Sequence, residues 1–183
     1  MLPRAFYARP AVEVARALLG KILMHRISRG ATLAGRIVET EAYLGTGDRA
    51  AHSWRGATPR TQVLFGPPGH AYVYLIYGMH ECLNIVAEPE GVAGCVLIRA
   101  LEPVAGIEHG AANGPGKLTR AMRIERSFNG ADLTRGALTV REPEAAWPEF
   151  EIGLSPRIGI THSADLPLRF FIRGNASVSR KQA

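Results

Sequence analysis

The chain has 183 residues, 46% of them apolar and 21% charged, the proportions of a soluble globular protein long enough to bury a proper core. No apolar stretch approaches the roughly 20 residues of a membrane helix, and "MLPRAFYARP" at the start lacks the apolar centre of a signal peptide. A cytoplasmic protein made of a single domain, residues 1–183, is expected, with no membrane partner. The net charge is +6 and the pI about 9.8. Of the 22 basic residues 19 are arginine, and the lysines are only Lys21, Lys117 and Lys181. Arginine forks onto phosphate, and a positive surface favours a polyanion through counterion release. A coding bias towards arginine accounts for the same composition, so charge alone does not decide for nucleic acid. Cys82 and Cys95 are the only cysteines and are expected to be reduced and packed. No C-x-x-C pair is present, so no cysteine-built zinc or iron–sulfur site is expected.

In chain order, "PAVEVARALL" (Pro10 to Leu19) has helical spacing at Val14, Ala15, Leu18 and Leu19, with proline suited to the first turn and Gly20 to the stop. "KILMHRI" (21–27) and "LAGRIVETEAY" (33–43) read as strands around the turn "SRGAT". Residues 44–70 are rich in Gly, Thr, Arg and Pro, too long for a mere connection, and long ordered loops tend to be functional. "AYVYLIYG" (71–78), "CLNIVAE" (82–88) and "GCVLIRALE" (94–102) are apolar strands, and a short helix starts near "GPGKLTRAM" (114–122). "ALTVRE" (137–142), "RIGITH" (157–162) and "LRFFIRG" (168–174) read as later strands, and the tail "NASVSRKQA" as frayed. Strands dominate without a strand–helix alternation. The expected fold class is α+β: a single compact domain around a curved, mostly antiparallel sheet with a few short helices.

Several polar residues stand where strand patterning favours apolar ones. In "RIVETEAYLG" alternation puts Glu39, Glu41 and Tyr43 on one face and Val38, Thr40 and Ala42 on the other. In "HAYVYLIYGMH", Tyr72, Tyr74 and Ile76 share one face, and Val73, Leu75 and Tyr77 the other, with Gly78 beside Tyr77. Aromatic residues also fill strand cores. Asn84 interrupts "CLNIVAE" and Arg99 interrupts "CVLIRALE". A buried arginine needs a partner, and a carboxylate such as Glu41 would satisfy it, in an active site or in a purely structural ion pair. His52 lies in the long loop, where a lone histidine is most often surface.

The blocks "RIVETEAYLG", "AAHS", "TPR", "YVYLIYGMHECLNI", "CVLIRALEP", "GPGKL" and "PLRFFIRG" resemble, in order, those of the alkyladenine (3-methyladenine) DNA glycosylases shared by mammals and many bacteria. The resemblance implies an excision enzyme that flips a damaged purine from double-stranded DNA and hydrolyses its N-glycosidic bond. On matching positions it implies Glu41 as the base that activates water, with Arg99 nearby. It implies Tyr43, His52 and Tyr74 as aromatic walls, Asn84 as the pocket asparagine, and Tyr77 as the wedge filling the vacated stack. It implies no cofactor, no metal and a nucleoid-associated monomer. The segment "VLFGPPGH" and the pair His80–Glu81 depart from mammalian relatives, which puts the DNA contacts of residues 60–70 in doubt.

The chemistry agrees with that assignment. Removing a base from the stack costs a few kcal/mol, of which aromatic stacking returns roughly 1–3 kcal/mol. A cation over a ring gains about 0.5–2 kcal/mol more. Water needs a carboxylate to take its proton. Glu39 is left without a role, and Glu39→Gln is expected to do little. Three other readings fit less well. A non-catalytic nucleic-acid module has no use for a buried carboxylate beside an arginine. A metal hydrolase using His52, His70, His80 and His162 lacks H-x-x-x-H or H-E-x-x-H spacing. A lyase needs an amine nucleophile, and none of the three lysines is in the matched pocket.

Overall fold

The structure is a computed structural model that describes residues 1–28, 30–76 and 78–179. Along these residues run helices α1 (Arg4–Tyr7) and α2 (Ala11–Leu18), strands β1 (Ile22–Ser28), β2 (Ala31–Tyr43), β3 (Ala71–Ile76), β4 (His80–Val86) and β5 (Cys95–Ala105), helix α3 (Pro115–Ala121), and strands β6 (Leu138–Arg141), β7 (Ile152–Ser155) and β8 (Arg169–Ile172). All pairings are antiparallel. The strand order is β3-β4-β5-β2-β1-β6, with β8 joined to β2 and β7 to β8. The described residues thus form one compact α+β unit around a curled sheet.

The 13-residue strand β2 is its axis. One edge runs along β5 from Ala34 to Tyr43. The other edge holds β1 as far as Arg36, then β8 at Glu39 to Glu41. Against β5 the register slips twice near the middle. Val38 is extra on β2, between Ile37 opposite Leu101 and Glu39 opposite Ala100. Arg99 is extra on β5, because the next pair is Thr40 with Ile98. The two bulges cancel in register but bend both strands, as bulges near active sites do. Arg99 is thereby freed from the regular ladder beside the two glutamates.

The alternation in β2 is as the sequence indicates. Val38 and Ala42 join the main core, and Thr40 Oγ1 donates to Ala15 O on α2 at 2.9 Å. Helix α2 buries Ala11, Val14, Ala15 and Leu18, the i, i+3, i+4, i+7 stripe of an amphipathic helix. Glu88 accepts its first N–H, from Ala11, at 2.7 Å. Buried side chains of the Leu18, Leu23, Ile37 and Leu101 kind contribute roughly 1.5–3 kcal/mol each.

Three expectations need correction. Residues 157–162 form no strand; Arg157 turns inward to a buried aspartate instead of pairing along a ladder. Strand β7 at Ile152–Ser155, which alternation in "FEIGLS" shows weakly, takes the free edge of β8. Residues 175–179 of the tail are not frayed: Val178 packs on the core, and Ser179 N donates to Glu39 Oε2 at 2.7 Å. No helix among the described residues is long and apolar enough to cross a membrane.

Gly45, which closes the "ETEAYLG" run, has φ +75°, and a methyl group there would lie 2.0 Å from Ala93 O. Gly45→Ala therefore combines left-handed strain with a backbone clash. It should lower the unfolding free energy by about 1–3 kcal/mol, read as a lower urea midpoint at unchanged m-value.

Candidate active site

A cavity of about 370 Å³ opens between the end of β2, the long loop and the β3–β4 hairpin, with Tyr43, His52, Tyr74, Asn84 and Arg99 in its wall. Five of the seven residues singled out from sequence thus face one space. Glu41 lies directly behind them. Tyr77 lies outside the described residues.

The aromatic wall is built by strand pairing and by the loop. Tyr72 and Tyr74 share a face of β3, their rings 5.4 Å apart and tilted by 32°. His52 meets Tyr74 edge-on at 4.5 Å, and its Nδ1 lies 2.9 Å from Tyr72 Oη. One side of His52 stays open to the cavity. Burial of the rest, and then the positive charge of Arg60, push its pKa down to about 4, so at neutral pH the ring is uncharged. Asn84, opposite Tyr72 on β4, is 2% exposed. Its Nδ2 donates to Tyr72 O at 3.3 Å, and Cys95 Sγ donates to its Oδ1 at 3.8 Å. Cys82 and Cys95 also line the cavity as free, buried thiols. Burial pushes Cys82 up to about 11 and Cys95 to about 12.

Behind this wall Arg99 joins two carboxylates. Its Nε donates to Glu39 Oε1 at 3.0 Å, and its Nη1 lies 3.3 Å from Glu41 Oε1. Both glutamates are wholly buried, but their surroundings differ. Glu39 also accepts Arg169 Nε at 2.6 Å, Ser179 Oγ at 2.9 Å and the Ser179 N–H. Burial alone would raise its pKa, but the Ser179 N–H and the two arginines outweigh it and hold Glu39 below the usual carboxylate range. For Glu41 burial wins and raises the pKa, against Arg99, the Ile158 N–H at 2.8 Å and the Tyr43 hydroxyl at 3.0 Å. Among the described residues Oε2 accepts only from Tyr43, which leaves a lone pair for another donor. Burial, then the Glu41 charge, keep Tyr43 protonated, so its hydroxyl donates.

The strand pattern named Glu41 as the partner of Arg99; the structure adds Glu39 and gives it the larger share of hydrogen bonds. Sequence reasoning also missed Asp48 and Arg157, an ion pair behind Tyr43, although an arginine heading the apolar run "RIGI" was a signal. Leu75, in the cavity lining, and Met79 are 41% and 72% exposed and leave apolar side chains on the β3–β4 hairpin.

A flat-walled cavity backed by a basic carboxylate suits hydrolysis of a bond beside a planar ring, and the comparisons with known proteins give that chemistry a family. A model described as methylpurine-DNA glycosylase (MPG) matches residues 5–176, and the chain belongs to this family of DNA-repair enzymes that hydrolyse N-glycosyl bonds. A protein of Methanoculleus marisnigri is 52% identical over 194 residues, covering 98% of this chain and 99% of its own. One from Koribacter versatilis is 50% identical over 195 residues, with 99% and 94% covered. One from Legionella pneumophila is 50% identical over 182 residues, with 98% of each covered. All three are named "Putative 3-methyladenine DNA glycosylase".

The role of Glu39 is testable through stability. The expectation that Glu39→Gln does little needs correction, because the variant removes the charge that buried Arg99 and Arg169 require, a loss of about 3–5 kcal/mol at neutral pH. The lowered pKa makes this contribution complete above the unfolded-state value of about 4.3 and lost as pH falls through the folded-state value. Glu41, with its raised pKa, acts in the opposite sense and is common to both proteins. Urea midpoints of wild type and variant should therefore converge as the pH is lowered from 7 towards 3.

Proposed function

We propose that this enzyme flips a damaged purine of the 3-methyladenine type from duplex DNA into the 370 Å³ cavity and hydrolyses its N-glycosidic bond with water activated by Glu41. Hypoxanthine and ethenoadenine are further candidate substrates. The observation that carries this reading is the unequal surroundings of the two glutamates. Glu39 is bound by Arg99, Arg169 and Ser179 as a structural anchor, while Glu41 meets Arg99, the Ile158 N–H and the hydroxyl of Tyr43 in the cavity wall, and burial raises its pKa. Separating the pKa values of neighbouring carboxylates is how one site assigns them different tasks.

In this mechanism the base enters between Tyr43, His52 and Tyr74. Alkylation leaves the purine cationic, and the neutral His52 ring offers a face without repulsion. Water bound to Glu41 Oε2 gives its proton to that carboxylate as its oxygen attacks C1′, and the purine departs with the bonding electrons. Arg99 Nη1, 3.3 Å from Glu41 Oε1, favours the ionised carboxylate that accepts this proton. Outside the pocket the resemblance assigns the wedge to Tyr77, and the exposed Leu75 and Met79 suit insertion against base pairs. Lys21 is bonded to Glu142 and Lys117 to Asn113, and neither lines the cavity. This supports a water-using, monofunctional enzyme over a lyase that would need an amine nucleophile in the pocket.

Glu41→Gln keeps the shape of the side chain and removes the proton acceptor. Its single-turnover release of 3-methyladenine should fall by roughly 10²–10⁴-fold with lesion-DNA affinity unchanged. Retention of more than about a tenth of the rate would exclude Glu41 as the base.

Asn84 is fixed by its bonds to Tyr72 O and Cys95, and a rigid side chain there can occupy the space that the 2-amino group of guanine would need. Selection by a clash needs such a rigid side chain. Asn84→Ser should gain measurable release of undamaged guanine while still excising alkylated adenine. A uniform loss on all substrates, with no gain on guanine, would make Asn84 a support of the sheet and no gate.

A further inference from the structure

The Asp48–Arg157 pair has no part in the mechanism above, yet it touches three walls of the cavity. Both side chains are wholly buried and lie 109 residues apart in sequence. Arg157 Nη2 donates to Asp48 Oδ1 at 2.9 Å and to Ser163 O at 3.3 Å, and Nη1 donates to Asp48 Oδ2 and to Ala42 O at 3.0 Å. Asp48 accepts the backbone N–H groups of Ala50 at 3.0 Å and Leu44 at 3.3 Å. The guanidinium carbon stands 4.6 Å from the centre of the Tyr43 ring. One fork therefore joins the end of β2, the loop that carries His52, and the 157–163 segment. That last segment supplies Ile158, whose N–H reaches Glu41 Oε1 at 2.8 Å and whose side chain lines the cavity with Ile160.

A buried ion pair is a weak source of stability, since desolvation consumes much of the attraction. Its position here is more informative than its energy. Burying the Tyr43 ring against packed apolar residues would hold it equally well, but would not also bind Ala42 O, the 44–50 loop and Ser163 O. Lysine could not replace the arginine, because a point charge has neither the fork nor the flat face to stack on Tyr43.

We propose that Asp48 and Arg157 are positioning residues for base excision: their fork sets the plane of Tyr43 in the cavity wall and holds the Ile158 N–H on Glu41. The inference rests on Tyr43 and Glu41 acting as described under the proposed function. With the fork intact, ring and carboxylate keep a fixed relation to each other, and a bound purine meets both in one geometry. With the fork lost, the 157–163 segment moves off and Glu41 loses a donor. The titratable and charged groups left around Glu41 are Glu39 and Tyr43 on β2, Arg99 on β5, Cys82 on β4 and Arg169 on β8. Losing the Ile158 N–H makes Glu41 harder to ionise, so the acidic limb of the rate profile moves to higher pH.

The test compares wild type with Arg157→Lys and with the double variant Asp48→Asn/Arg157→Met, which leaves no orphan charge and keeps an acceptor for the Leu44 and Ala50 N–H groups. Single-turnover release of 3-methyladenine and affinity for duplex with an abasic-site analogue are measured from pH 5 to 9 at a temperature where each protein is folded. Both variants should lose about ten- to hundred-fold in rate, shift the acidic limb upward and bind DNA as wild type does. A rate near wild type overturns the proposal, and so does a reduced rate with the limb unmoved, since a merely structural role predicts only lower melting. Failure of wild type to release any damaged purine would instead overturn the functional reading, and an active Glu41→Gln would overturn its catalytic assignment.

Discussion

Arg99 reaches two carboxylates that stand two residues apart on one buried strand, and the rest of the site depends on that contact. Two negative charges so close together in a desolvated sheet repel, and without a cation one of them would stay protonated. A single arginine between them leaves the outcome to their other partners. Glu39 gains a second arginine and two donors from Ser179 and becomes a fixed charge. Glu41 gains only neutral donors and stays the more basic of the two. On the proposed mechanism an inert anchor and a proton acceptor thus come from the same residue type through their neighbours alone.

The sheet supplies the geometry that this contact needs. A regular antiparallel ladder would put Arg99 opposite one residue of β2 and commit its side chain to one face. The compensating bulges at Val38 and Arg99 take it out of register, and β8 closes the other edge of β2 so that Arg169 arrives from the far side. The same strand therefore carries core residues under α2 on one face and charged chemistry on the other, both screened from water. Distant parts of the chain converge here: Glu39 and Ser179 are 140 residues apart.

Periodicity was sufficient for what depends on near neighbours. The helix at Ala11–Leu18, the alternation in β2, the tyrosine face of β3 and the loop character of residues 44–70 all follow local patterns. So did the odd polar residues, because Asn84 and Arg99 break otherwise apolar strands. Residues 157–162 have strand composition but pair with no strand, because Arg157 is captured by Asp48 from far away in sequence. The tail has polar composition and yet is pinned, since its partner, Glu39, needs donors that only tertiary structure brings. Glu39 and Glu41 look alike in a strand pattern. What separates them is the count and charge of contacts made by residues that alternation does not relate to them.

The two thiols in the cavity wall differ from the polar groups around them in their reactivity towards electrophiles. Methylpurines arise where electrophilic methyl donors are present, and a cysteine thiolate is a better nucleophile for such reagents than any DNA base. Cys82 and Cys95 border the space that would receive the damaged ring on the proposed reading, where a methylated sulfur would crowd Tyr74 and Asn84. Their burial holds both sulfurs in the protonated, sluggish form. A cavity wall with its thiols held protonated offers few thiolates to the electrophiles that methylate purines.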